Sequence, residues 1–142
     1  MPFGSQVQRA SQSAELQGVT ILAVEDHPDS LELLTEALRA LGAIVFPAAT
    51  SREAFQLLLE QRPQLVVSDI GLPDEDGFSL MRRIRALGAE QGGSTPSIAV
   101  SAFTSAEDRR RAAAAGFQDF VAKPVDFSQL ISSIQALARP SS

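Results

Sequence analysis

The sequence predicts an α/β protein in which helices flank a parallel β-sheet. From Val19 onward, short apolar segments alternate with longer segments of helical periodicity, which is the pattern of βαβ units. Several apolar segments end directly in polar residues, as at Glu25-Asp26 and Asp69. The length of 142 residues, with 44% hydrophobic and 20% charged residues, is that of one globular domain. We therefore expect five strands and five helices in a single domain, with no internal repeat.

The first three predicted elements are a strand, a helix and a second strand. Thr20–Glu25 is an apolar run that ends in acidic residues, and it is followed by a helix near Asp29–Leu41. Gly42 is the predicted stop of this helix, and Ala43–Pro47 is the second strand. The apolar face of the helix consists of Leu31, Leu34, Leu38 and Leu41.

The middle of the chain contains the clearest helix start and the most apolar strand. Thr50 and Glu53 form a T-x-x-E capping box, which predicts a helix from there to about Gln61. Leu65–Ser68 is almost wholly apolar, as expected of a central strand that is buried on both faces. The loop 71–77 and a helix to about Ala89 follow it.

The remaining elements complete the alternation of strands and helices. A Gly-rich loop leads into the fourth strand, which ends at Ser101. Ser105 and Asp108 predict the capped start of a helix that stops at Gly116. Asp119–Ala122 is the fifth strand, and Asp126–Ala138 is the last helix, with its first residue as the cap.

Composition excludes several classes of function. The net charge of −5 argues against a nucleic-acid-binding protein, which would normally carry a basic surface. The absence of cysteine excludes disulfides and thiolate metal sites, and the single histidine, His27, excludes a multi-histidine metal site. No apolar run is long enough for a membrane span, and the N-terminus does not resemble a signal peptide. We expect a cytoplasmic protein.

The ends of the chain differ in composition from the rest. Residues 1–17 are rich in Ser and Gln, which predicts a tail or linker. We place the folded domain at residues 18–139 and a short tail at 140–142, which leaves no room for an output domain after the last helix.

Polar residues at four strand ends predict one shared cleft. The carboxyl ends of parallel strands lie at one edge of a sheet, where such folds bind ligands. Three carboxylates held together repel one another unless a cation neutralises them, and Mg²⁺ binds carboxylates, water and phosphate oxygens. Asp69 closes a buried strand and can act as a nucleophile towards phosphorus. The converging residues are Glu25, Asp26, Asp69, Ser101 and Lys123.

Ser101 and Lys123 are suited to bind a phosphoryl group from the side opposite the carboxylates. Lys123 is the only lysine, and it lies between an apolar strand and Pro124, which is an awkward position without a partner anion. An ammonium can pair with phosphoryl oxygens, and a serine hydroxyl can donate a hydrogen bond to one of them. A cis Lys123–Pro124 peptide bond fits the tight turn expected there.

Other polar and aromatic residues carry weaker predictions. His27, beside the acidic pair, is interpreted as a solvated loop residue, with tuning of the carboxylates as the alternative. Phe120 is either a core residue or a side chain that moves on phosphorylation, and both alternatives stay open. Two arginine clusters are interpreted as solvated helix faces, with docking as the minority interpretation. These arginines are Arg82, Arg83 and Arg85, and Arg109, Arg110 and Arg111.

Residues 19 to about 138 resemble the receiver domain of two-component response regulators. The resemblance rests on Glu25-Asp26, on Asp69 with the downstream L-P-x-x-D-G pattern at 72–77, on Ser101-Ala102 and on Lys123-Pro124. Phe120 falls where that family carries its aromatic switch residue. The resemblance implies a flavodoxin-like doubly wound sheet of five parallel strands in the order 2-1-3-4-5, with helices on both faces.

The family resemblance also implies a mechanism and partners. Asp69 would accept a phosphoryl group from the phosphohistidine of a histidine kinase or a histidine phosphotransfer protein. Mg²⁺ would be held by Asp26, Asp69 and the carbonyl of Gly71, with Glu25 reaching it through water. Ser101 and Lys123 would bind the phosphoryl oxygens. Their shift, with the switch residues Ser101 and Phe120, would change the face formed by the fourth helix, fifth strand and fifth helix for a downstream protein. The domain would be free-standing or part of a hybrid histidine kinase, and it could form a homodimer. Nucleic acid and membranes are not expected partners.

Gly71 separates this prediction from an enzyme of similar chemistry. An aspartate-nucleophile phosphatase of the haloacid dehalogenase type needs a second aspartate two residues after the nucleophile, where this chain has Gly71. We therefore expect no turnover enzyme, only self-catalysed phosphotransfer and slow autodephosphorylation. A flavodoxin-like cofactor binder is disfavoured because no phosphate-binding loop follows the first strand. A degenerate receiver that acts as a phosphorylation-independent interaction module is the alternative.

Overall fold

The computed structural model describes residues 15–138 and shows five parallel strands in the order β2-β1-β3-β4-β5 with helices on both faces. This confirms the predicted fold class and strand order. The strands are β1 (Thr20–Val24), β2 (Ile44–Ala48), β3 (Leu65–Asp69), β4 (Ser97–Ser101) and β5 (Asp119–Ala122). The helices are α1 (Pro28–Ala40), α2 (Ser51–Gln61), α3 (Gly77–Arg85), α4 (Ala106–Ala115) and α5 (Phe127–Leu137).

The sheet separates two apolar cores. Alternate side chains of a strand point to opposite faces, so Leu22 and Val66 lie on one face while Ile21 and Val67 lie on the other. The first face is covered by α2, α3 and α4, and the second by α1 and α5. All of β3 is buried, as its apolar sequence predicts for a central strand. This burial fixes the position of Asp69 at the strand end.

One helix boundary agrees closely with the sequence-based prediction and one differs from it. The first helix begins at Pro28, one residue before its predicted start, and His27 is at its N-cap. Proline suits this position because its missing N–H would have no helical partner there. The third helix ends at Arg85 and not near Ala89, which instead starts a short 3₁₀ turn. Gly88 precedes that turn in an extended conformation, consistent with the low helix propensity of glycine.

Two side chains, those of Thr50 and Asp74, cap the start of α2. Thr50 Oγ1 accepts a hydrogen bond from the Glu53 N–H, as the capping box predicts. The Glu53 carboxylate, however, bonds the N–H of Ala49 and not that of Thr50, so the reciprocal half of the box is displaced by one residue. The carboxylate of Asp74 also accepts from the N–H groups of Ser51 and Arg52, at 2.9 and 3.0 Å. Partial desolvation raises the pKa of Asp74, but these backbone hydrogen bonds outweigh it and lower the pKa overall.

The other predicted capping box is complete. The Ser105 hydroxyl accepts from the Asp108 N–H, and the Asp108 carboxylate accepts from the Ser105 N–H. The last helix is capped by Asp126, as predicted.

The packed part of the chain extends beyond the predicted domain start. Leu16, assigned to the tail by sequence, is only 1% exposed, and its N–H donates to the Leu41 carbonyl oxygen at 2.8 Å. It contributes to the core beneath α1 and β2. Residues 1–14 of the predicted N-terminal tail, the predicted C-terminal tail 140–142 and residue 139 lie outside the described residues. Of the helices between residues 15 and 138, none combines the length and the apolar character that crossing a membrane requires.

The arginines of the two clusters are exposed, as predicted, with the exception of Arg85. Arg85 is partly buried, and its guanidinium donates to the carbonyl oxygens of Gly93 and Gly116. Arg83 pairs with Glu75, while Arg82 is exposed as expected. Three guanidinium groups lie over phenylalanine rings, with carbon-to-centroid distances of 4.3 to 4.7 Å. These pairs are Arg83 with Phe55, Arg109 with Phe120 and Arg111 with Phe78.

Candidate functional site

The predicted cleft forms at the carboxyl ends of the strands. The side chain of Lys123 extends from the end of β5 and places its Nζ 2.9 Å from Glu25 Oε1 and 3.0 Å from Asp69 Oδ2. Glu25 follows β1, and Asp69 is the last residue of β3, which pairs with β1. Both residues are buried. The Lys123–Pro124 peptide bond is cis. The only lysine of the chain therefore bridges two of the predicted carboxylates.

The three charges shift one another's pKa values. Burial raises the pKa of Glu25, but the hydrogen bonds from Lys123 and from the His27 N–H outweigh it, so the pKa is lowered overall. Burial raises the pKa of Asp69, and the nearby charge of Glu25 adds to this, so that it stays raised despite Lys123. Burial lowers the pKa of Lys123, but its two carboxylate partners raise it overall. Lys123 thus remains an ammonium between two carboxylates of unequal acidity.

Asp26 supplies a polar atom that has no hydrogen-bond partner in the described part of the chain. Its Oδ1 is buried and has no hydrogen-bond partner among residues 15–138, although His27 Nδ1 lies 3.4 Å away. Glu25, Asp26 and His27 each offer one ligand atom, and these three atoms lie within 4.8 Å of one another. A buried, unpaired carboxylate oxygen beside a second carboxylate fits a divalent cation with oxygen ligands. The residues present therefore fit the predicted Mg²⁺.

The His27 ring is exposed, as its interpretation as a solvated residue predicts. Its side chain is 75% exposed, and its backbone N–H donates to Glu25 Oε2 at 3.2 Å. The backbone of His27 therefore helps to hold the Glu25 carboxylate.

Gly71 lies beside Asp69 at the start of the loop after β3. Its N–H donates to Asp69 Oδ1 at 3.2 Å. Its carbonyl oxygen accepts no protein hydrogen bond from residues 15–138, so that oxygen is free for the predicted role as a metal ligand. That role stays a prediction. The N–H contact was not anticipated from the sequence.

Gly77 allows the first turn of α3 to lie against the end of β3. A Cβ there would be 2.7 Å from the Asp69 carbonyl oxygen and 2.9 Å from the Ile70 Cα. The Gly77 N–H also donates to the Ile70 carbonyl oxygen at 2.7 Å. This close approach of two backbone segments holds the strand end that carries the acceptor.

We expect Gly77→Ala to lower the free energy of unfolding by about 1–3 kcal/mol, because backbone atoms must move to accept the methyl group. Urea denaturation measures this change. Gly71→Ala is the matched control, since a Cβ at Gly71 meets no atom within 4 Å. Equal stability of the two variants would contradict the close approach at Gly77.

Ser101 is buried near the acceptor but does not join its ion pairs. Its Oγ accepts a hydrogen bond from the Phe103 N–H at 3.0 Å, and no acceptor for its own proton is found between residues 15 and 138. It lines a cavity of about 320 Å³ together with Gly71, Phe103 and Phe120. The hydroxyl proton is therefore free to be donated to a group bound in the cleft.

Phe120 belongs to the core in this structure. Its side chain is 9% exposed and packs in the apolar core formed with α2, α3 and α4. Of the two alternatives left open by the sequence, the structure shows the buried position. It also shows Arg109 over the ring, a contact that the sequence analysis missed. Arginine at a helical position gives no signal for such stacking, because the partner lies on the next strand and not at helical spacing.

Comparison with known proteins agrees with this geometry. The family model for the response regulator receiver domain matches residues 21–135. An uncharacterized 14.6 kDa protein from the sodA1 3′ region of Leptolyngbya boryana is 42% identical over 120 residues, which are 84% of this chain and 90% of that protein. The probable transcriptional regulatory protein TcrX of Mycobacterium tuberculosis is 32% identical over 126 residues, which are 89% of this chain. The chain spans only 52% of TcrX, or about half its length.

A solved structure with a similar fold contains a metal ion. The receiver domain of the sensor histidine kinase PA1611 from Pseudomonas aeruginosa has a TM-score of 0.78 and 34% sequence identity. The match covers 87% of this chain and 99% of that domain. In that structure, a magnesium ion is coordinated in the active site cleft.

Proposed function

Because the chain belongs to the family of response regulator receiver domains, we propose that Asp69 accepts a phosphoryl group from the phosphohistidine of a partner protein. The observation that carries this proposal is the position of Lys123 Nζ between Glu25 and Asp69. An ammonium held at the acceptor is ready to pair with the oxygens of an incoming phosphoryl group. The partner would be a histidine kinase or a histidine phosphotransfer protein.

The transfer requires little covalent chemistry from the protein. An oxygen of Asp69 forms a bond to phosphorus while the bond between phosphorus and the histidine nitrogen breaks. The histidine leaves as neutral imidazole, because its other ring nitrogen already carries a proton. Lys123 then exchanges its contact with the Asp69 carboxylate for one with a phosphoryl oxygen. Ser101 can donate its unpaired proton to another phosphoryl oxygen. Catalysis is mainly positioning and charge neutralisation.

Mg²⁺ would be held by Asp26, Asp69 and the carbonyl oxygen of Gly71, with Glu25 reaching it through water. The unpaired Asp26 Oδ1 supports this assignment. When bound, the ion would neutralise the carboxylates and the phosphoryl oxygens. It would also favour the ionised form of Asp69, whose pKa is raised in the protein alone.

The phosphorylated state would act by a shift in population and not by turnover of a substrate. Contacts of Ser101 and Lys123 with the phosphoryl group would favour one arrangement of the face formed by α4, β5 and α5. A downstream protein would bind that arrangement. In this proposal the domain is a switch, and Gly71 supplies no side chain that could steer a hydrolytic water.

Incubation with acetyl phosphate and Mg²⁺, followed by intact mass measurement, tests the proposal. The expected result is a gain of one phosphoryl group that disappears in Asp69→Asn and is strongly reduced when the metal is chelated. Asp29→Asn is the matched control, because it makes the same charge change at an exposed position on α1 and should be phosphorylated normally. The absence of any adduct, even with a cognate kinase, would overturn the proposal in favour of a phosphorylation-independent interaction module.

A further inference from the structure

Phe120 lines two cavities. It shares one, of about 320 Å³, with Ser101, Gly71 and Phe103. The lining of the other, a depression of about 160 Å³, also includes Arg109 and Asp119. Phe120 therefore lies at a border of the core, where fewer packing contacts hold a side chain than in a filled interior.

Arg109 makes the polar contact that this ring otherwise lacks. A phenylalanine has no hydroxyl with which to hold a hydrogen-bond partner. The guanidinium carbon of Arg109 lies 4.7 Å from the ring centroid, within the range of a favourable cation–π interaction. The same guanidinium reaches the segment between β4 and α4, where its Nε lies 3.4 Å from the Thr104 carbonyl oxygen in a long hydrogen bond.

That segment directly follows Ser101, the last residue of β4. The Ser101 hydroxyl accepts from the Phe103 N–H, and Phe103 directly precedes Thr104. A displacement of Ser101 would therefore move the backbone to which Arg109 is bonded. The contacts form one continuous path from the hydroxyl, through the backbone and the guanidinium, to the aromatic ring.

We propose that Arg109 is a positioning residue that holds Phe120 in its buried place and links the ring to the segment carrying Ser101. The second half of this inference rests on the proposed function, because it concerns the response of the ring to a phosphoryl group on Asp69. The first half concerns the unphosphorylated protein alone. Loss of one cation–π contact should change the ratio of ring positions by about two- to fivefold.

Fluorine NMR of protein labelled with 4-fluorophenylalanine measures the ring position. The chain has eight phenylalanines, and Phe120→Leu assigns the resonance that belongs to Phe120. The difference in its chemical shift between H₂O and D₂O reports solvent exposure of the ring. We expect Arg109→Gln to increase this difference in the unphosphorylated protein, and Arg109→Lys to increase it less because the positive charge remains.

Arg110→Gln is the matched control. It removes the same charge from the next residue of α4, which is exposed and does not stack on Phe120. An unchanged Phe120 signal in Arg109→Gln, or an equal change in Arg110→Gln, would overturn the positioning role. A structural defect alone is excluded as the cause if the other phenylalanine resonances stay in place.

The initial rate of phosphorylation by acetyl phosphate tests the link to the acceptor. If the buried ring position favours the arrangement that accepts a phosphoryl group, Arg109→Gln should lower this rate in proportion to the lost buried population, by at most the change of about two- to fivefold in the ratio of ring positions. An unchanged rate in a variant whose ring has moved would overturn that link. If even the wild-type protein gains no phosphoryl group, the proposed function fails, whereas the fluorine measurement still decides the role of Arg109.

Discussion

Replacing Lys123 with methionine is expected to lower the free energy of unfolding at pH 7, without divalent cations, by about 2–3 kcal/mol. The ammonium neutralises Glu25 and Asp69 at 2.9 and 3.0 Å, and methionine leaves the two buried carboxylates to repel each other. Lys123 is partly exposed, so we expect a loss below that of a fully buried pair. Urea denaturation monitored by circular dichroism measures the change.

The loss of stability in Lys123→Met should shrink as the pH falls. In the wild-type protein, the lowered pKa of Glu25 contributes stability above its ordinary value of 4.5, and this contribution is lost as the pH falls through the lowered value. The raised pKa of Asp69 has the opposite sign, because ionisation of Asp69 costs stability at neutral pH and protonation relieves that cost. Without the ammonium, Glu25 and Asp69 take up protons at a higher pH than they do in the wild-type protein. As the pH falls, protonation therefore relieves the repulsion between the two carboxylates in Lys123→Met, and the difference in stability shrinks.

The pH comparison comes with two controls. Arg110→Met removes a positive charge from an exposed position and should have little effect on stability. Added Mg²⁺ should recover part of the loss in Lys123→Met, because it binds the folded carboxylates. A loss that is equal at pH 7 and at about pH 4.5 would contradict an electrostatic cause.

Arg85→Met is expected to lower the free energy of unfolding by about 3 kcal/mol, since it leaves the carbonyl oxygens of Gly93 and Gly116 without their guanidinium donor. The guanidinium of Arg85 connects α3 with the end of α4, the start of β4 and the segment after the 3₁₀ turn. Its burial lowers its pKa, but arginine stays charged at neutral pH. The acceptors are the carbonyl oxygens of Gly93 and Gly116, Ser97 Oγ and Gln118 Oε1.

Two further variants separate the hydrogen bonds from the charge. Arg85→Lys keeps the charge but loses the planar fork of donors, so it should recover less than half of the lost stability. Arg82→Met removes an exposed arginine from the same helix and should be nearly neutral. Among residues 15–138, the only hydrogen bond of the Arg82 side chain is a 3.4 Å one to Ser79 Oγ. Full recovery by Arg85→Lys would show that the charge, and not the geometry of the donors, stabilises this junction.

The sequence determined the order of the elements and the place of the cleft. Apolar runs that end in Glu25-Asp26, Asp69, Ser101 and Lys123 are local patterns, and parallel pairing brings their ends to one edge. The capping signal at Ser105 was equally local and was confirmed, because the cap and its partner are three residues apart. Such features need no knowledge of distant contacts.

Only the tertiary structure decided which side chains meet across the fold. Asp74 caps a helix that precedes it, Arg85 bonds acceptors from three other segments, and Arg109 covers a ring on β5. In the sequence these are ordinary polar residues on a loop and on two helices, because their roles depend on partners brought near by folding. The same holds for Lys123, whose position was predicted but whose choice of Glu25 and Asp69 was not. Ion pairs and stacking depend on distances in space, which the spacing of residues along the chain does not encode.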